Sequence, residues 1–259
     1  MITGNDAVGA TGLTPAGARS SADIESLCMP GLPLEWGPSP PPTDPPRVTP
    51  PLQFIRITDA DSPDFTAAMA IYLAAFPAAE RHPVDKIRQR VAAGQSHLLV
   101  GRQAGDIVFM ALLWPLSATD FILLDYMATD AGHRGQGLAT AFMAEMRARL
   151  LAEGRYLVME VEDPTRGENT DERRRRIGLY RHLGARQLDG IRYLLPPLQG
   201  QNPTDMILML FPEYPGGSMD GAQVEQLIRK IYQELYGRGG DDPLLIHSVG
   251  NIQARITLT

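Results

Sequence analysis

The ten residues AGHRGQGLAT, 131–140, hold Arg134, Gly135 and Gly137 directly after an apolar run and directly before a helix-patterned segment. A glycine-rich turn at a helix start is a ready anion site. Its N–H groups point outward, the helix start carries partial positive charge, and the missing Cβ lets a phosphate approach the amides. Such turns also serve chain geometry alone, so the spacing has to discriminate. A Walker loop needs Gly-x-x-x-x-Gly-Lys-Ser/Thr, and no lysine follows here. A dinucleotide fingerprint needs glycine or alanine where Thr140 stands, on the first strand of a βαβ unit. A kinase loop needs downstream catalytic signatures that this sequence lacks.

Carboxylates lie close by in the chain. Asp125 interrupts the apolar stretch FILLDYMAT, where a charge is costly unless it faces a cleft or a partner. Strict alternation predicts that it shares a face with Leu123 and Met127. Glu160 and Glu162, in VMEVED, are expected on one common face and compete with Asp125 for the role of general base. Simple ion pairing explains them equally well. In TDERRRRIGLYRHLG the residues Arg173, Arg176 and Tyr180 fall on one helical stripe. This predicts that Arg173 or Arg176 faces a cleft, while Arg174 and Arg175 form a solvated pair.

These residues need a scaffold, and the patterning supplies one. Strand-like segments are FIRIT at 54–58, HLLVGRQ, DIVFMALLWPL, FILLDYMAT at 121–129, RYLVMEVED, IRYLLPP and DMILMLF. Ala104-Gly105 marks a hairpin between the second and third. Helical patterns cover 64–76, the segment opening at Pro83, the segment after the glycine turn up to Gly154, and 170–184. The order β-α-α-β-β-β-loop-α-β-α-β-β predicts a mixed α/β sheet of about six to seven strands with flanking helices. Residues 219–237 form an amphipathic helix with Val224, Leu227, Ile228, Ile231 and Leu235 on its apolar stripe. PLLIHSVGNIQARITLT then reads as two β-like runs around Gly250-Asn251. The extension is expected to add a packing layer or a homodimer contact, with a lid over a cleft as the alternative.

Ten of the 22 prolines lie between Pro30 and Pro51, which makes residues 1–52 a disordered arm by composition. The expected domains are therefore the arm at 1–52, a mixed α/β domain at 53–212 and an extension at 213–259. A net charge of −6 argues against a nucleic-acid partner. One cysteine, Cys28, and five scattered histidines offer no metal-ligand spacing, so no metal is expected. No apolar run approaches the roughly 20 residues of a membrane span, and MITGNDAVGATGLTPAGARSS does not pattern as a signal peptide. A soluble, cytoplasmic protein without membrane contact is the expectation.

Arg134, Gly137 and Ala139, within LLDYMATDAGHRGQGLATAFM, match Gln/Arg-x-x-Gly-x-Gly/Ala. Here the chain resembles the GNAT superfamily of acyl-CoA N-acyltransferases over about residues 53–212. IGLYRHLGA at 177–185 is similar to the family's Leu-Tyr-x-x-x-Gly-Phe segment, with Ala185 in place of Phe. The resemblance implies that the amides of Arg134, Gly135, Gln136, Gly137, Leu138 and Ala139 hold the CoA pyrophosphate. It implies that main-chain groups of Met127 and Thr129 bond the pantetheine arm where two strands splay. Tyr180 would protonate the departing thiolate, and Asp125 or Glu160 would act as base. His133 is expected to be structural. Arg173 and Arg176 depart from the smaller residues usual in the family.

The implied activity is transfer of an acetyl or related acyl group from acetyl-CoA to a primary amine, with a small molecule or a peptide as acceptor. A non-catalytic acyl-CoA sensor and a protein-interaction module are the competing expectations.

Overall fold

The computed structural model describes residues 51–166, 169–199 and 202–259. The expected arm lies outside these up to residue 50, as does Cys28.

β1 (Gln53–Ile57) leads into α1 (Pro63–Ala75), whose Ser62 hydroxyl caps the helix by accepting from the Phe65 N–H. α2 (Val84–Ala92) follows, with Pro83 just ahead of it. β2 (His97–Gln103) and β3 (Asp106–Pro115) form the expected hairpin. Ala104 and Gly105 both take positive φ, +55° and +96°, the geometry of a turn that matches strand twist. β4 spans Phe121–Thr129 and is buried at every position. α3 (Leu138–Glu153) is bounded by left-handed glycines, Gly137 and Gly154. β5 (Tyr156–Glu162), α4 (Thr170–His182) and the two-residue β6 (Arg186–Gln187) lead to β7 (Tyr193–Leu195) and β8 (Thr204–Phe211).

Among the described residues eight strands make one sheet in the order β1-β2-β3-β4-β5-β8-β6, with β7 also paired to β8. β4 and β5 are parallel, and the other neighbours along that path are antiparallel. Period-two patterning divides the core between the two faces. Leu98, Val100, Met110 and Leu112 pack with α1 and α2, while Leu99, Phe109, Ala111 and Leu113 pack with α3 and α4.

The C-terminal segment differs in part from its sequence pattern. β9 (Ser218–Asp220) pairs with β10 (Arg255–Thr257) in a two-stranded sheet, and between them lie α5 (Gly221–Glu234) and α6 (Pro243–Val249). The first of the two expected β-like runs is therefore the helix α6. Asp242 caps it by accepting from Leu244 N at 2.8 Å, and Pro243 fits its first turn, where no N–H is needed. The signal was present in Asp-Pro, and the apolar run after it masked it. A Cβ on Gly221 would lie 1.9 Å from the Gln253 carbonyl oxygen, so glycine alone lets α5 start against the chain entering β10.

Val224, Leu227, Ile228 and Ile231 of α5 are at most 1% exposed and join the same cluster as α1 and α2. The extension is thus a packing layer whose apolar stripe is consumed within the chain. Ile228→Ala should cost about 2–5 kcal/mol of unfolding free energy in a denaturant titration, with a single transition retained. A loss under about 1 kcal/mol, or a separate early transition, would show the extension to be energetically independent.

Candidate active site

β4 and β5 pair only through Phe121↔Tyr156, Ile122↔Leu157, Leu123↔Val158 and Leu124↔Met159. Beyond that point each strand stays paired on its outer side: β4 with β3 through Thr129↔Phe109, and β5 with β8 through Glu162↔Met206. The sheet opens between two strands that are both held from outside. The first residues past the last shared pair are Asp125 and Glu160.

Asp125 is also the extra residue of a β-bulge. Tyr126 pairs with Leu112 and Leu124 with Leu113, leaving Asp125 opposite neither. The bulge breaks the expected alternation. Leu123 packs in the α1/α2 cluster and Met127 in the α3/α4 cluster, so the two do not share a face. Asp125 is 2% exposed and Glu160 fully buried. Burial, reinforced by the Glu160 charge and opposed by Arg90 and Lys86, raises the Asp125 carboxyl to about 6.

Glu160 accepts hydrogen bonds on both oxygens. Tyr193 donates to Oε1, and Tyr236, just beyond α5, donates to Oε2 at 2.7 Å. Burial and the Glu160 charge push both phenols well above their ordinary range, so they stay neutral donors. Sequence reasoning missed both tyrosines, since no local pattern links residues 33 and 76 positions from Glu160. It also missed the buried Arg90, which donates to the Leu235 carbonyl at 2.9 Å and lies over the Trp114 ring.

Glu162 serves differently from Glu160. Its carboxylate lies 2.8 Å from Arg173 Nη2 and 3.7 Å from Arg176 Nη1, and Arg176 also meets Glu172 at 3.4 Å. Two guanidinium partners make Glu162 a structural anion. Arg173, Arg176 and Glu162 line a cleft of about 330 Å³ together with Arg134 and the chain around Pro77. Arg174 and Arg175 are exposed, as their places on the helix predict.

Past Pro77, Tyr126 donates to the Glu80 carbonyl at 3.1 Å, and Tyr72 donates to the His82 carbonyl at 3.1 Å. The first bond ties the α1–α2 connection to β4 beside Asp125, and the second ties it to α1.

After β4 the chain makes a short 3-10 turn, Ala131–His133. The Asp130 carboxylate accepts from Gly132 N at 3.0 Å and lies 2.9 Å from His133 Nδ1, which makes His133 a brace for the turn, as expected. Gly135 and Gly137 take φ +74° and +77°. A Cβ at Gly137 would meet no atom within 4 Å, so the left-handed backbone demands glycine there and the surface beside it is open. No side chain caps α3, which leaves its first amides pointing at that open surface. Thr129 Oγ1 is buried without a hydrogen-bond partner among the described residues.

Tyr180 is 2% exposed in the cluster beneath α4, together with Ile177 and Met146.

The parted strands thus lie beside an uncapped, glycine-led helix start, an open strand edge next to open amides. Residues 58–185 match the family model "Acetyltransferase (GNAT) family", and this part of the chain is a GNAT acetyltransferase domain. A GNAT-family protein from Bacteroides thetaiotaomicron has the same fold, at 22% identity and TM-score 0.60 over 72% of this chain and 99% of its own. The ribosomal-protein-S18-alanine N-acetyltransferase of Escherichia coli aligns at 23% identity and TM-score 0.46, over 64% and 96% of the two chains. A GNAT acetyltransferase from Elizabethkingia anophelis with acetyl-CoA bound aligns at 14% identity and TM-score 0.44, over 63% and 98%. Among proteins of curated function none matches the sequence.

The buried Asp125 and His82 set opposing pH trends. Asp125 rises from 3.8 unfolded to about 6 folded, so the native state binds the extra proton and stability falls as pH rises through that interval. His82, buried and close to Arg90 and Lys86, drops from 6.5 to about 3, so its contribution rises with pH over an overlapping interval. Asp125→Asn removes only the falling component. Its stability should therefore gain about 2 kcal/mol more than wild type between about pH 4.5 and 6.5. Equal changes in unfolding free energy for the two proteins between those pH values, read from urea titrations, would show that Asp125 takes up no proton there.

Proposed function

We propose that the chain transfers an acetyl or related acyl group from acyl-CoA to a primary amine by direct attack. The observation that carries this reading is the parting of β4 and β5 at Asp125 and Glu160, immediately before the open helix start at Gly137.

The residues present fit an acyl-CoA. The amides of Arg134, Gly135, Gln136, Gly137, Leu138 and Ala139 would hold its pyrophosphate, helped by the charge of Arg134 at the cleft wall. The inner edge of β4, where Met127 and Thr129 have no β5 partner, offers backbone groups to the amides of the pantetheine arm. When bound, the donor supplies an activated acyl group as a thioester.

The chain's own residues then manage protons. Asp125, with its carboxyl near 6, is ionised at neutral pH and basic enough to take a proton from the incoming ammonium. Glu160, bonded by Tyr193 and Tyr236, lies beside it. The neutral amine attacks the thioester carbonyl carbon, the C–N bond forms as C–S breaks, and Tyr180 donates a proton to the leaving sulfur. No metal is required for these steps. Acceptors of this reading are small amines or peptide amines.

A second reading is favoured by the burial of Tyr180: an acyl-CoA-binding module in which Tyr180 has no part in proton transfer.

Acetyl-CoA should raise the melting temperature of the full chain, because a ligand that binds only the folded state stabilises it. An amine panel should then show acceptor-dependent CoA release. Asp125→Asn and Tyr180→Phe should each lower kcat about 100-fold. Stabilisation without release from any amine would leave the binding module. Full activity of Tyr180→Phe would remove that residue from the acid role.

A further inference from the structure

Arg90, in the last turn of α2, is 6% exposed and makes no ion pair among the described residues. Two groups hold its guanidinium. Nη2 donates to the Leu235 carbonyl at 2.9 Å, and the guanidinium carbon lies 4.8 Å from the centroid of the Trp114 ring. Nη1 is buried with no hydrogen-bond partner among the described residues. A guanidinium only donates, so this open position requires an oxygen, and an anionic one satisfies it best.

The two anchors set Arg90 at the strand opening. Trp114 pairs with Leu123, two residues before Asp125. Leu235 directly precedes Tyr236, which bonds Glu160. The Arg90 charge accordingly acts on the Asp125 carboxyl, as does that of Lys86, one turn earlier on α2. His82, on the chain entering α2, is 4% exposed, and its Nε2 likewise has no partner among the described residues. Lys86 is exposed and Tyr236 half-buried, so the cluster reaches solvent along α2. On α4, Arg173 already holds Glu162 and Arg176 holds Glu172. Arg90 holds no carboxylate of the described chain.

We propose that Arg90 receives a carboxylate of the acceptor, so that the amine acylated here is an amino acid, its nitrogen at Asp125 and its carboxylate on α2. This rests on the acyl-transfer reading and names the acceptor class for it. A plain amine that displaces water from the opening leaves Nη1 without an acceptor, which weakens binding. An amino acid closes that position with a charge-assisted bond. Its two charges also cancel, so it adds no net charge to a poorly solvated cluster. A polyamine would instead bring further positive charge up to Arg90 and Lys86.

The test is acyl transfer by the full-length protein to amino acids, to their amides, and to the amines left by removing the carboxyl group. β-Alanine and longer ω-amino acids vary the distance between the two charges. For at least one amino acid, kcat/KM should exceed that of its amide and of its decarboxylated amine about 10- to 100-fold. Arg90→Met, which keeps an apolar stem over Trp114, should bring that ratio to about one. Arg88→Met, on the same helix but paired with Asp61, is the control and should keep the wild-type ratio. Amides or decarboxylated amines used as well as every amino acid would overturn the proposal, and so would a wild-type ratio in Arg90→Met.

Trp114 gives a readout that needs no turnover. In a Trp36→Phe background it is the sole indole of the chain, and amino acids of the panel should change its emission saturably where the matching amines do not. If wild type releases no CoA with any amine, the transfer reading fails. The emission titration then still decides: a response to amino acids alone keeps a carboxylate site at Arg90, whereas no response, or an equal response to the amines, removes it.

Discussion

Everything at this site depends on one constraint: two parallel strands share four residue pairs and then must part. β4 cannot follow β5, because β3 keeps hold of its other edge and the bulge at Asp125 turns it. β5 cannot follow β4, because β8 pairs with it along its length. An open strand edge inside a sheet would normally be a liability, with unpaired N–H and C=O groups in a buried place. Here it lies next to a helix start whose amides are likewise open. Both features make sense together as one extended binding edge.

Placing two carboxylates at that opening sets the rest of the electrostatics. Asp125 and Glu160 both lie where an ionised group is poorly solvated, and two adjacent charges could not both be held without help. The two phenols satisfy both Glu160 oxygens, and burial, reinforced by the Glu160 charge, raises the Asp125 carboxyl to about 6. Farther along β5, Glu162 meets the same problem and solves it with Arg173 and Arg176. Two carboxylates of β5 thus lie at and beyond the opening, one bonded by phenols and one by guanidiniums. Only the second lies on the wall of the cleft that also holds Arg134.

Much of this was legible in the sequence where the signal is local. The bounds of β4, the glycine limits of α3, the Ala104-Gly105 turn and the exposure of Arg174 and Arg175 all follow from patterns a few residues long. The loop 131–140 was legible because its glycines and its flanking strand and helix are contiguous. What stayed hidden is non-local or depends on a single extra residue. The bulge at Asp125 leaves no mark in an apolar strand, so strict alternation put Leu123 and Met127 on one face. α6 patterns as a strand because seven apolar-rich residues outweigh the Asp242-Pro243 start. Tyr193, Tyr236 and Arg90 reach the acids only through tertiary packing. The extension that carries Tyr236 was visible as an amphipathic helix, and amphipathicity reports burial without saying what its polar end touches.

The central claim is that the inner edge of β4 and the start of α3 form one continuous donor site. Amide hydrogen exchange on the full-length protein, with and without saturating acetyl-CoA, tests it most directly. The account predicts that slowed exchange concentrates at 127–129 and 134–140, on both sides of the turn braced by Asp130 and His133. Protection confined to other segments, or absent from both of these, would contradict it.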